Sequence, residues 1–227
     1  MSGVNTLTYK VGGVMEWIET YLHYVMHIDE VIAWLIAELG DFTYVLLFGV
    51  IFVETGLVIF SFLPGDSLLF ASGAFAGADL DLNIWILLFG FFLAATLGDL
   101  SSYQIGKFTG KRIDKIPLFN KFVSEERLQA ANAFFVKHGA ITIIAARFMP
   151  VFRALIPFVA GASKMPVTRF MRFNMIGALI WGIGCTLLGY WFGNIMFVKE
   201  NFSLVLILIM LTTFIPPIAT AIRAKRA

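Results

Sequence analysis

The sequence predicts an all-α, polytopic membrane protein with two re-entrant hairpins in an inverted repeat, crossing helices beside them, and an N-terminal interfacial helix. Three observations carry this. The composition is 59% hydrophobic and only 14% charged, against about 25% charged in a soluble domain, and the mean hydropathy is +0.84. Uncharged runs of 26 residues (Phe173 to Val198) and 22 residues (Asn201 to Ile222) meet the length of about 20 that a span requires. Two further apolar stretches combine charge with helix breakers: ETGLVIFSFLPGDSLLFASGAFA from Glu54 and AARFMPVFRALIPFVAGAS from Ala145. An arginine at the bilayer centre costs about 2.5 to 3.5 kcal/mol on insertion scales, and Pro64, Pro150 and Pro157 each lack a backbone donor. Irregular backbone at membrane depth survives only where protein buries it or a wet cavity bathes it. Both stretches therefore read as hairpins, with Arg147 and Arg153 facing such a cavity.

In chain order, residues 1–41 form a polar tail and an amphipathic helix. From Val14 to Ile28, apolar residues recur at three- and four-residue steps opposite Glu16, Glu19, His23 and His27, the pattern of a helix lying in the interface with a solvated polar face. Residues 42–198 form the transmembrane core. Phe42 to Ala78 carries only Glu54 and Asp66 as charges, with room for a crossing helix plus hairpin 1 (54–78), broken at Pro64 and Gly65. After the turn from Asp79 to Asn83, a crossing helix spans 84–106. A basic linker (107–138) contains a helix capped by Ser124, with Glu125 and Glu126 in its first turn and Gly139 at its end. Hairpin 2 occupies 140–163, with breaks at Pro150 and Pro157, and a second crossing covers 167–195. Residues 199–227 make a last crossing and a basic tail.

Charge is distributed unevenly. Through residue 105 there are eleven acids and one base, and from residue 106 onward four acids and sixteen bases. By the positive-inside rule the linker and the tail ending RAKRA are cytoplasmic. Counting back, the 84–106 helix starts outside, hairpin 1 opens outward and hairpin 2 opens to the cytoplasm. A unit of hairpin, charged turn and long helix closing in GxxxG occurs twice, with Gly106 and Gly110, then Gly189 and Gly193. Inverted repeats of this kind build midplane sites in transporters. Helix packing alone also explains the glycines. The single cysteine, Cys185, excludes an intrachain disulfide and a Cys-based metal site, and no signal peptide is expected.

Glu54, Asp66, Arg147 and Arg153 are the expensive charges, and such groups mark ion or substrate pathways. The guanidinium fork suits a phosphate. An anion that competes for an arginine changes the proton affinity of the carboxylate it displaces, so the pattern fits anion binding with proton exchange at Glu54 or Asp66. The competing reading is a pair of internal ion pairs that only pin hairpin to hairpin. Asp99 fits a cap, a partner for a linker lysine or a secondary transport residue, and His138 fits a helix C-terminus. A phosphohistidine enzyme would need a histidine in a hairpin, and a metal-dependent transferase clustered aspartates. Neither pattern occurs, so no catalytic residue, metal, cofactor or nucleic acid is expected.

These segments, together with LGDLSSYQIGKFTGK and KHGAITIIAARFMPVFRALIPFVAGASKMP, resemble the DedA family of bacterial membrane proteins, whose domain is shared with lipid scramblases of the eukaryotic endoplasmic reticulum. The resemblance runs from about Phe42 to Gly193. It is carried by Glu54 and Asp66 around FLPGDSLL and by the two arginines of RFMPVFR. It implies a multi-pass protein of the bacterial inner membrane that moves lipids between leaflets: undecaprenyl phosphate, or phospholipids such as phosphatidylethanolamine, with dependence on the proton motive force. Glu54 and Asp66 would be the essential acids and Arg147 and Arg153 the essential arginines. The alternatives are a proton-coupled antiporter of small ions or drugs and a non-transporting envelope scaffold; the expected coupling ion is a proton or sodium, and a homodimer is an allowed state.

Overall fold

A computed structural model describes residues 28–57, 60, 63–78, 82–109 and 125–196, with 198, 201, 204, 205 and 208. The predicted interfacial helix up to residue 27, most of the basic linker and most of the last crossing lie outside the described residues. Among the described residues every regular element is helical, as required where the solvent offers backbone groups no partner.

The first helix, α1 (Ile28–Leu39), begins where the expected interfacial helix ends, and the sequence pattern did not separate it from the tail. Ile32 is fully buried while Trp34 is 59% exposed. Gly40, at φ +51, turns the chain, and the Thr43 hydroxyl donates to the Leu35 carbonyl at 2.9 Å. Next come α2 (Phe42–Gly56, 15 residues) and α3 (Gly65–Gly77, 13 residues). At 1.5 Å per residue each is about 20 Å long, short of the ~30 Å hydrocarbon core. The stretch from Phe42 to Ala78 therefore holds two short helices, each about two thirds of that thickness. Pro64 stands immediately before α3, where its missing N–H breaks no helical bond.

The long helix α4 (Ile84–Thr109) is capped by Asn83, whose side-chain oxygen accepts from the N–H groups of Trp85 (2.9 Å) and Ile86 (3.4 Å). Helix α5 (Glu125–His138) ends as expected at Gly139, at φ +64, a left-handed conformation that glycine adopts without strain. A 3-10 turn (Gly139–Ile141), α6 (Thr142–Ala146) and an irregular turn lead to α7 (Pro150–Ala162). Pro150 opens α7, the position proline suits. Pro157 is a correction: it lies inside α7, which continues through it. Its ring withholds one bond from the Arg153 carbonyl, but tight packing against α4 keeps the helix intact. Helix α8 (Val167–Ala178), a π-helical turn (Leu179–Ile183) and α9 (Gly184–Phe192) run as one 26-residue apolar rod. It and α4 are long and apolar enough to cross a membrane. Their outward faces carry Trp85 (75% exposed), Phe89 (65%) and Trp191 (63%), apolar surface that water would penalise and lipid accepts.

The main packing pairs are α3 with α9, α4 with α7, and α2 with α4. The first two repeat one contact. A Cβ at Gly189 would strike the Phe70 carbonyl, and one at Gly73 the Thr186 carbonyl; a Cβ at Gly106 would strike the Phe158 carbonyl, and one at Gly161 the Tyr103 carbonyl. Each contact pairs a glycine three residues beyond a phenylalanine with a glycine of the facing long helix. Small residues of this kind let membrane helices touch backbone to backbone.

Candidate functional site

The two contacts carry α3 and α7 into the middle of the molecule, where their first turns present Asp66 and Arg153. Arg153 forms ion pairs with Glu54 and with Asp66, the latter at 3.2 Å. Glu54 comes from the last turn of α2, is only 1% exposed, and accepts the Gly65 N–H at 3.3 Å. A Cβ at Gly65 would collide with the Glu54 carboxylate, so the glycine of the break is what lets α3 begin against Glu54. The acids and the arginine that the sequence singled out thus meet in one cluster.

Arg147, in the turn before α7, pairs with Asp99 of α4 and donates to the Asn174 side-chain oxygen at 2.7 Å. Asn174 passes its own N–H to the Thr96 carbonyl at 3.0 Å. Asp99, inside α4 rather than at its end, is a buried counter-ion whose ion-pair partner among the described residues is Arg147. Trp181 links the two groups. Its indole N–H donates to Asp66 at 2.6 Å, and its ring centre lies 5.7 Å from the guanidinium carbons of both Arg147 and Arg153, within cation–π range. The π-helical turn that carries Trp181 is of a kind that recurs at functional sites.

Both arginines are buried. The space lined by Thr55, Asp99, Arg147, Arg153 and Trp181 amounts to about 10 Å³, the size of a single water site. Glu54 Oε2, Thr96 Oγ1 and Arg147 Nε are buried without a hydrogen-bond partner among the described residues. The site is thus closed around its ion pairs, with spare hydrogen-bonding capacity turned inward. Asn174 and Trp181 were not anticipated. Asn174 is a polar residue at the start of an apolar run, a usable signal; Trp181, in an uncharged run, is indistinguishable from a packing aromatic.

Trp181→Leu is expected to lower the melting temperature more than Trp181→Phe. Phenylalanine loses only the bond to Asp66, whereas leucine also removes the face shared by two guanidiniums, worth about 0.5 to 2 kcal/mol each. Thermal unfolding in detergent measures this, and equal losses would mean that the ring face is not engaged.

The family model described as VTT domain matches residues 63–191, the interval that holds Asp66, Asp99, both arginines, Asn174 and Trp181. Protein DedA of Escherichia coli K12 is 40% identical over 214 residues, 94% of this chain and 97% of that protein. Uncharacterized membrane protein Rv0364 of Mycobacterium tuberculosis H37Rv is 37% identical over 179 residues, 78% of each chain. Inner membrane protein YghB of Escherichia coli K12 is 34% identical over 169 residues, 74% of this chain and 76% of that one. No solved structure matches. With the specific charged residues and the long apolar helices in place, the chain belongs to the DedA family of VTT-domain membrane proteins.

Proposed function

We propose that this protein is a lipid translocase of the bacterial inner membrane that moves undecaprenyl phosphate between leaflets and is driven by the proton motive force. It is a carrier, making and breaking no covalent bonds in its substrate. In this reading α2–α3 and α6–α7 are re-entrant hairpins entering from opposite sides, related as an inverted repeat, with the C-terminus in the cytoplasm. The doubled glycine contact supports that reading, because it seats each hairpin on the long helix of the other half in the same register.

The observation that carries the function is the meeting of two buried guanidiniums with three buried carboxylates beside one indole. A phosphate can take the place of a carboxylate on either arginine, since both are bidentate acceptors for the same fork. Three carboxylates against two guanidiniums leave one negative charge in excess, which a single proton neutralises. Glu54 Oε2, unpaired among the described residues, is an atom that can carry it. Binding of the anion and exchange of the proton are thereby linked through Arg153. Keeping the tail in lipid avoids exposing its apolar surface to water, at about 25 cal/mol per Å².

The test is leaflet-to-leaflet movement of labelled undecaprenyl phosphate and phosphatidylethanolamine in proteoliposomes, with and without a proton gradient, for wild type and Arg147→Ala. The expected result is gradient-dependent movement of undecaprenyl phosphate, lost in the variant. Movement of both lipids without a gradient would indicate a scramblase; movement of neither would overturn the reading in favour of a small-ion antiporter.

A further inference from the structure

Gly49 has no packing reason to be glycine. It sits in the middle of α2, where glycine weakens a helix relative to alanine, yet a Cβ built there meets nothing within 4 Å. What it leaves open is a groove along the seam of α2 and α4. The groove is an open depression of about 660 Å³ lined by apolar side chains, among them Phe52, Phe89 and Leu93, with Gly49 uncovered in it and the Phe48 ring lying over Gly90. That volume lies within the ~300–1,000 Å³ of small-molecule sites. From Trp85 to Leu97 it follows α4 for about 18 Å, roughly one leaflet.

The groove ends against the ion site. Thr55 lines the ion cavity, and the seam is sealed beside it by Gly56 and Gly98, whose backbones meet with the Thr55 hydroxyl pressed to Gly98. Thr55, Gly56 and Gly98 thus stand, along the two helices, between Phe52 and Leu97 of the groove and Asp99 of the ion cavity.

We infer that this groove is the tail site of the translocated lipid, taking one hydrocarbon chain of a single-chain lipid phosphate while its headgroup occupies the arginine site. The inference rests on the function proposed above and deepens it. A single seam between two helices accommodates one chain, which favours a single-chain lipid over a two-chain phospholipid. With the start of α4 on the outer side, a chain lying toward Trp85 from a headgroup at Arg153 has the orientation of the cytoplasmic leaflet. The bound state is then one poised for release to, or capture from, that leaflet, and the contact of Thr55, Gly56 and Gly98 is the lateral gate the lipid passes.

The experiment fills the groove without touching the ion pairs. In proteoliposomes, Gly49→Phe is expected to move undecaprenyl phosphate about tenfold more slowly than wild type, with Gly49→Ala between them. Dioleoyl phosphatidate, which has two chains, serves as the comparison. In parallel, p-benzoylphenylalanine replaces Phe89 in the groove wall or Phe108 on the same helix, which is 84% exposed and outside the groove. Undecaprenyl phosphate is expected to crosslink at position 89 and not at 108. Wild-type rates in Gly49→Phe, equal slowing of phosphatidate, or equal labelling at 108 would overturn the tail site while leaving the proposed function standing. A wild type that moves neither lipid would remove both. Should Gly49→Phe fail to fold, the crosslinks decide alone.

Discussion

Arg153→Ala is expected to abolish lipid movement and to destabilise the protein, and the two effects are separable. Arg153 is the cation to which both Glu54 and Asp66 are paired. Among the described residues, its removal leaves Glu54 with the Gly65 N–H and Asp66 with the Trp181 N–H, two like charges in a buried site. Breaking a buried pair from one side costs about 3 to 5 kcal/mol, a large share of the ~5–15 kcal/mol that holds a protein folded. A loss of transport in this variant alone would therefore be ambiguous. The double variant Arg153→Met with Glu54→Gln removes one charge of each sign and leaves Asp66 with its indole bond, so most of the melting temperature is expected to return. Transport is expected to stay absent, because no fork remains at that position to hold a phosphate. If the double variant regains both stability and lipid movement, Arg153 only pins the helices together and is not the group that holds the phosphate. Glu54→Gln alone preserves the Arg153–Asp66 pair while removing a proton site. It is expected to retain some lipid movement that no longer responds to a proton gradient, measured in the same vesicles.

How far the site was legible in the sequence depends on what each residue owes to its neighbours in the chain. Glu54, Asp66, Arg147 and Arg153 stand out because a charge in an apolar run is costly wherever the run folds. That cost is local and can be read without coordinates. The partners of those charges are another matter. Arg147 reaches Asp99, 48 residues away, and Arg153 reaches Glu54, 99 residues away, and no local pattern states which acid meets which arginine. Asp99 was ambiguous because serines and a basic linker offered it nearer partners. Pro157 misled because a proline in a water-exposed helix breaks it, whereas Pro157 stands in a helix held on one side by the C-terminal half of α4. The shortness of α2 was hidden because the run from Phe42 to Val53 carries no charge, and composition reports that a segment is apolar without reporting where its helix ends. The small extent of the cavity was equally hidden, since it follows from how closely four helices approach.

That approach gives the second large expectation. Gly189→Val and Gly106→Val should each lower the melting temperature, and by similar amounts. At both positions an added side chain meets a backbone carbonyl, that of Phe70 or Phe158, which cannot rotate away as a side chain would. The helices must separate instead, and overpacking of this kind typically costs about 1 to 3 kcal/mol. In lipid the loss is not recovered elsewhere, because helices there associate largely through the van der Waals contact that small residues permit. Gly182 and Gly184 supply the control on the same rod. A Cβ at either meets nothing within 4 Å, so Gly182→Ala and Gly184→Ala are expected to be neutral or slightly stabilising, as glycine replacement in a helix generally is. Thermal unfolding of the four variants in one detergent decides the matter. Matched losses at 106 and 189 would mean that the two halves bear on their hairpins through one and the same contact, as the inverted-repeat reading requires. A loss at 189 with none at 106 would mean that hairpin α6–α7 is held mainly by the ion pairs at Arg147 and Arg153, leaving it free to move when a phosphate displaces them.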